Sequence, residues 1–519
     1  MPHQMKTSIF FAVAQTNTPR GMTALDWIVI AAYAFSMLAI GWYYARRTTS
    51  TGDYLLGGRK IGSLSLGLSL FATMLSALTY LALPGEVIKN GPVFAIGKVA
   101  AYPLVAVIVG WFLVPRIMKL SVTSVYEILE VRLGLSVRML GSMLFLTLRL
   151  MWMAVVIYAT SSKVLVPLLG LEQSATPYFC VILGAITVAY TTMGGLRAVV
   201  LTDVIQTFIL FTGALLTLGL ISYHFGGPSG WWPSQWPAHW PAPEWGYDPN
   251  PDVRTFAGVF TATILWFVCT QGSDQMTVQR FLASRDVKAA RRTLIYSLAC
   301  SAGAAVLLTL VGLALMAYFQ DNPQLLPGGK INMNEADKLF PQYIALVLPP
   351  GLSGLVMAGL LAAAMSSLSS GVNSSCSVII VDFVDRFRKK NTSEAQHVKL
   401  TMCVSAGVGI VVVLLSMFVG VVQGNLLAVT FKVCNLLTAP LFGLMFMAMF
   451  VRWATVPGTL VGAACGLVVV IGINFWEEMT GTKGISFLWS MPLGLISQIG
   501  FGAIVSLLPL GRRSAETDS

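Results

Sequence analysis

Residues 366 to 377 read SSLSSGVNSSCS, seven serines in twelve positions, inside an apolar run that begins GLSGLVMAGLLAAAM and continues SVIIVDFV. Hydroxyl oxygens are hard donors. Gathered on one helix face, and completed by backbone carbonyls freed where another helix unwinds, they suit a small hard cation such as sodium. At 100° per residue Ala363, Ser366, Ser367 and Ser370 fall on one side, with Ser369 between the Ser366 and Ser370 directions. The plainer role for each serine is close helix packing, its hydroxyl bonded to the carbonyl one turn back. That role suffices for Ser374, Ser375 and Ser377. Seven serines with Gly371 and Asn373 alongside exceed it. Thiolates and imidazoles do not cluster in the sequence, so a transition metal fits less well than sodium.

Charged residues also fall inside apolar runs. Asp203, in AVVLTDVIQTFIL, marks an ion or proton path unless it only bonds a neighbouring helix. Lys98 in AIGKVAAYPLV, Arg149 in LFLTLRLMWMAV and Lys432 in VTFKVCNLL must face the bundle interior or snorkel. Two buried cations favour an anionic solute over a neutral one, unless Glu86 or Asp203 already pairs with them. Asp274 and Gln275 stand near Arg280 and a basic loop, where an ion pair or a helix-end role is as natural as a binding one.

The elements that must hold these groups are membrane helices. The chain has 519 residues, 56% hydrophobic and 11% charged, with mean hydropathy +0.75; globular domains carry about 25% charged residues. Apolar runs of 18 or more residues recur along it, each long enough to cross a bilayer core of ~30 Å. The reading is an all-α polytopic membrane protein with about thirteen spans between residues 25 and 509. Tails are expected at 1–24 and 510–519, the first extracytoplasmic and the second cytoplasmic. With the N-terminus outside, 22 of the 33 basic residues lie in inside loops, Arg280 counted among them, as the positive-inside rule requires. The +11 charge is therefore a topology signal, and nucleic acid is not an expected partner. The seven cysteines sit in or beside apolar runs without a CxxC pair, which points to packing. The stretch 224–255, rich in Trp and Pro, is expected to form a rigid outer cap.

Two spans are interrupted, at SLFATMLSALTY followed by LALPG and at CTQGSDQ. Unwound backbone at membrane depth survives only where protein or a watery cavity covers it, and a pair of broken helices in two halves of a chain points to a secondary transporter.

At this point the motifs resemble a family. YLLGGRKIG, SVYEILEVRLG, TTMGGLRAVVLTDVIQ, SDQMTVQRFLASRD, AAAMSSLSS and NSS, in that order between about residues 25 and 450, are similar to those of the sodium/solute symporters. The resemblance implies a LeuT-like core of two inverted five-helix repeats, about 61–223 and 256–450, and alternating access driven by sodium. It also implies a sodium site at Ala72, Leu75, Ala363, Ser366 and Ser367, and a second sodium at Asp203, Ser366, Ser369 and Ser370. Sugar-carrying members place Gln, Glu, Asn and Tyr around their ligand; here Thr79, Lys98, Phe267 and Thr270 stand instead. Around YEILEVRLG the sequence looks more like the anion, monocarboxylate and sialic-acid carriers. The expected substrate lining is Met74, Ser76, Thr79, Lys98, Arg149, Phe267 and Thr270.

The expectation is sodium-coupled import of a small organic solute, anionic in character, across the cell membrane, with no organic cofactor and no obligatory protein partner. Three alternatives stay open: a neutral-solute or sugar symporter, a proton-coupled carrier using Asp203, and a sensor built on a transporter-like domain. An enzyme is disfavoured, because no nucleophile stands with a base and none of His3, His224, His239 and His397 lies inside a span.

Overall fold

The computed structural model describes residues 22–248, 254–387, 393–421, 426–482, 484–485 and 489–508. The expected tails 1–24 and 510–519 fall almost wholly outside these residues, and so does the side chain of Lys432. The described chain is almost entirely helical. Helix α1 (Ala24–Ala45) opens with a Thr23 capping box, the Thr23 hydroxyl accepting from the Asp26 amide. Then follow α2 (Ser63–Met74), α3 (Ala77–Asn90), α4 (Val93–Ile117), the short α5 (Glu127–Leu133), α6 (Leu135–Leu168) and α7 (Thr176–His224). The second half has α8 (Phe256–Ser273), α9 (Gln275–Leu282), α10 (Val287–Asp321), α11 (Leu352–Val384), α12 (Glu394–Phe418), α13 (Leu426–Phe450), α14 (Val456–Asn474) and α15 (Ser490–Val505).

Nine of the described helices are long and apolar enough to cross a membrane, ten when α2 and α3 are taken as one bent span. The sequence count of about thirteen is thus higher than the helix lengths alone support. Part of the difference is α7. At 1.5 Å per residue its 49 residues would run more than 70 Å as a straight rod. It breaks instead at Gly195 (φ 57°, ψ −157°). A Cβ there would lie 2.6 Å from the Tyr54 carbonyl oxygen, so both backbone sign and space demand glycine. The apolar helix Ser490–Val505 is shorter than a full span, whereas α13 runs 25 residues, Leu426–Phe450.

Helix α11 is the central post. In its most apolar 18-residue window 94% of the residues are buried, and it packs against α1, α6 and α7. A helix enclosed on all sides can carry hydroxyls on every face, because protein rather than lipid receives them.

The described part of the stretch 224–255 folds over the C-terminal end of α3. Trp240 Nε1–H donates to the Ile88 carbonyl at 2.9 Å, and His239 Nε2 lies 2.9 Å from the same oxygen. Trp231 donates to Ser222 Oγ at 2.8 Å. Side chains thus satisfy a carbonyl in the last turn of α3 that would otherwise lack a partner.

Candidate functional site

The first break lies between α2 and α3, whose axes differ by 68°. Leu75 (φ −96°, ψ 106°) and Ser76 (φ −87°, ψ 160°) are extended. The Thr79 amide, which would close a helical turn on the Leu75 carbonyl, donates to Ser76 Oγ at 3.2 Å. Leu75 therefore keeps a carbonyl outside the helical ladder. Pro84 and Gly85 lie inside the continuous α3, and the break is held at Leu75 and Ser76, where the Ser76 hydroxyl caps α3.

The serine face of α11 meets this break. Ser366 Oγ lies 2.8 Å from the Ala72 carbonyl and 3.2 Å from the Ala363 carbonyl. Ser367 Oγ reaches the Thr73 carbonyl at 3.3 Å. Ala72, Ala363, Ser366 and Ser367 are fully or almost fully buried, and Leu75 is 9% exposed. Ala72, Ala363 and Ser366, three of the five residues expected to hold sodium, thus share direct contacts. Ser367 and Leu75 adjoin them through Thr73 and the break. All these donors are oxygens, and among the described residues no group of three His, Cys, Asp or Glu gathers as a metal site; the set fits an alkali cation.

The residues expected around a second sodium are brought together differently. Asp203 and Ser370 are fully buried, and the guanidinium of Arg280 stands with both. Its Nη2 bonds Ser370 Oγ and lies 3.5 Å from Asp203 Oδ2. Arg280 is 0% exposed, so its expected place in an inside loop is corrected: it lies in the core because α9, carrying it, folds back under α2. Ser369 turns to its own helix, donating to the Ser366 carbonyl at 3.1 Å.

The second break is at Asp274 (φ −86°, ψ 116°), between α8 and α9. Tyr126 donates to the Ser273 carbonyl at 2.9 Å. Gln275 Oε1 accepts from the Val125 amide at 2.8 Å, and its Nε2 donates to the Thr123 carbonyl at 2.7 Å. The Tyr126 hydroxyl thus partners the Ser273 carbonyl at the break, and Gln275 ties the break to the Thr123–Val125 backbone. The Asp274 carboxylate pairs with Arg149, both buried. Arg149 is therefore ion-paired where the sequence placed it facing an anion, and its partner is neither Glu86 nor Asp203. Glu86 faces Arg254 at 3.5 Å and accepts from Asn90 at 2.9 Å.

The other expected lining residues cluster on the two breaks. Met74, Ser76 and Thr79 surround the first, with Thr79 Oγ1 3.2 Å from Ser76 Oγ. Phe267 and Thr270 lie on the last turns of α8, where Thr270 Oγ1 donates to the Trp266 carbonyl at 2.7 Å. Lys98 is on α4, its Nζ 5.4 Å from the centre of the Phe94 ring. It makes no ion pair among the described residues. One turn further on, Tyr102 meets the Phe267 ring at 5.3 Å. Sequence reasoning missed Ser69, Thr73 and Tyr102. Ser69 and Thr73 lie four apart on α2, a spacing that puts both on the face turned to α11.

A second polar cluster ties the end of α11 to α5 and the start of α6. Asp382 accepts from Arg138 Nη2 at 2.5 Å, Ser142 Oγ at 2.5 Å and Ser124 Oγ at 2.9 Å. Glu130, on α5, bridges Arg138 and Arg386 at 2.5 and 2.8 Å. The Arg386 and Arg138 hydrogen bonds hold its carboxyl well below the usual carboxylate range, at about 2.

Comparison with known proteins agrees with this geometry. The sodium/sialic acid symporter NanT of Aliivibrio fischeri is 29% identical over 87% of this chain and 88% of its own. The human sodium-coupled monocarboxylate transporter 1 is 28% identical over 89% of this chain and 76% of its own. A solved Na+-coupled sialic acid symporter, in a substrate-bound outward-open state, matches with TM-score 0.79 and 26% identity, covering 93% of this chain and 98% of that one. The sodium:solute symporter family model matches residues 54–466. With its paired breaks, its serine post and this match over most of its length, the chain belongs to the sodium:solute symporter family.

Proposed function

We propose that the chain imports a small organic anion of the carboxylate class together with sodium, by alternating access. The observation that carries the substrate class is Lys98, a cation on a membrane helix with no ion-pair partner among the described residues. An unpaired charge there is expensive unless a ligand supplies the counter-charge. The sialic acid and monocarboxylate named for the relatives are acids of that class. The lining assigned to the solute is Met74, Ser76, Thr79, Lys98, Phe267 and Thr270, with Arg149 behind it as the partner of Asp274.

Sodium is assigned to the carbonyls of Ala72, Leu75 and Ala363 and the hydroxyls of Ser366 and Ser367, and a second sodium to Asp203, Ser366, Ser369 and Ser370. Bound at the first site, the ion joins the break of α2 and α3 to α11 and favours the outward-open state that accepts solute. Solute closes the outer side; loss of sodium to a low-sodium cytoplasm opens the inner one. The orientation assigned is N-terminus outside and C-terminus cytoplasmic, supported by the bias of basic residues to inside loops. The division into repeats at about 61–223 and 256–450 is supported by the breaks, one near the start of each.

The test is uptake of a radiolabelled panel of carboxylates and neutral sugars into proteoliposomes, under a sodium gradient at fixed pH or a proton gradient alone. Carboxylate uptake that requires sodium is expected. Uptake indifferent to sodium removal overturns the coupling, and a preference for sugars overturns the substrate class.

A further inference from the structure

Arg280 is the largest fully buried side chain among the described residues. Its Nη1–H donates to the Met276 carbonyl of its own helix at 2.7 Å, and its Nε–H to Ser69 Oγ at 3.3 Å. Its Nη2–H bonds Ser370 Oγ. Toward Asp203 it is incomplete. Nη2 stops 3.5 Å from Oδ2, Oδ2 accepts Ser69 Oγ–H at 2.6 Å, and Oδ1 has no hydrogen-bond partner. A settled Arg–carboxylate pair is typically bidentate, with both oxygens engaged. Here one buried carboxylate oxygen is left over. Besides the guanidinium, the Ser69 hydroxyl bonds this carboxylate, and the Thr73 hydroxyl lies 2.8 Å from Ser370 Oγ.

We propose that the second sodium assigned to Asp203, Ser366, Ser369 and Ser370 shares the Asp203 and Ser370 end of its seat, beside Ser69, with the Arg280 guanidinium, the two cations occupying it in exchange. The proposal rests on sodium as the coupling ion. The guanidinium neutralises Asp203 while sodium is absent, so the carboxylate is never bare. Sodium arriving at the Ser366 site brings a like charge about one helical turn from Ser370, which repels Arg280 and eases its displacement. Arg280 sits on α9, immediately past the second break, so its release is linked to the segment that the break allows to move. Sodium loading would thus loosen the tie between α9 and the pair α2 and α11.

The measurement is equilibrium binding of radioactive sodium, with no organic solute, to the purified full chain at alkaline pH, where protons compete least. The wild type should bind two ions, one more weakly because it must displace Arg280. Arg280→Gln should tighten only the weaker ion, by about tenfold or more. Asp203→Asn placed on top of Arg280→Gln should abolish that ion and leave the other. If Arg280→Gln fails to fold, Ser370→Ala in the wild type carries the test, and it should remove the weaker ion alone. Saturation of the wild type at one ion overturns the exchange, as does an Arg280→Gln protein with unchanged affinities or a Ser370→Ala protein that keeps both ions or loses both. Saturation at zero ions overturns the sodium reading itself, a result distinct from these.

Discussion

At the scale of residues, three side chains separate ion binding, solute binding and support. The Ser366 hydroxyl is 2.8 Å from the Ala72 carbonyl, so Ser366→Ala removes the hydroxyl that joins the serine post to α2 just before the break. We expect the sodium concentration for half-maximal uptake to rise about tenfold, which corresponds to about 1.4 kcal/mol; an unchanged sodium dependence excludes Ser366 from the site. Lys98→Ala should weaken a carboxylate about 10- to 100-fold, the worth of a charged hydrogen bond, while sodium binding measured without solute stays as it was. Arg149→Ala should behave otherwise. It strips the buried Asp274 carboxylate of its partner, and an uncompensated buried charge costs about 3–5 kcal/mol. A large fall in the thermal midpoint is expected there, and Asp274→Asn with Arg149→Met should recover much of it.

At the scale of elements, the breaks and the second polar cluster decide which helices move together. Asp382 at the end of α11, Arg138 at the start of α6 and Glu130 on α5 are one linked group. Glu130 is held down to about 2, below the ordinary carboxylate value of about 4.3. A depressed folded value contributes stability that is full above about pH 4.3 and is lost as pH falls toward 2. Thermal midpoints recorded across that window should fall in the wild type and fall less steeply in Glu130→Gln; parallel curves would count against the bridge. At the bend of α7, Gly195→Ala should lower stability by at least about 1–2 kcal/mol from the positive φ alone, with the Tyr54 carbonyl adding a clash.

At the scale of the whole molecule, the coupling energy follows from the ion count. An inside-negative potential of 100 mV supplies about 2.3 kcal/mol per positive charge, and a tenfold gradient about 1.4 kcal/mol per ion. Two sodium ions then supply about 7 kcal/mol, less about 2.3 kcal/mol for one monoanion moving with them. Two sodium ions and a monoanion carry one net positive charge inward. The ratio of charge to solute flux in voltage-clamped membranes should therefore be near one, and electroneutral uptake would contradict two sodium ions per monoanion.

The sequence by itself determined a polytopic helical membrane protein, its two interrupted spans and its serine post. These rest on composition, hydropathy and the expense of polar groups in lipid, all of which act locally along the chain. The resemblance to the symporters, carried over residue by residue, named the oxygens proposed for sodium. Only the tertiary structure decided the partners of the buried charges. Arg280 looked like a loop residue beside other basic ones, yet α9 carries it to Asp203; Arg149 looked free for a solute, yet it meets Asp274, 125 positions away in the sequence. Helix length alone merges what the break at Gly195 divides in α7. Charge pairing at depth depends on which helices come to lie side by side, and one-dimensional spacing carries no record of that.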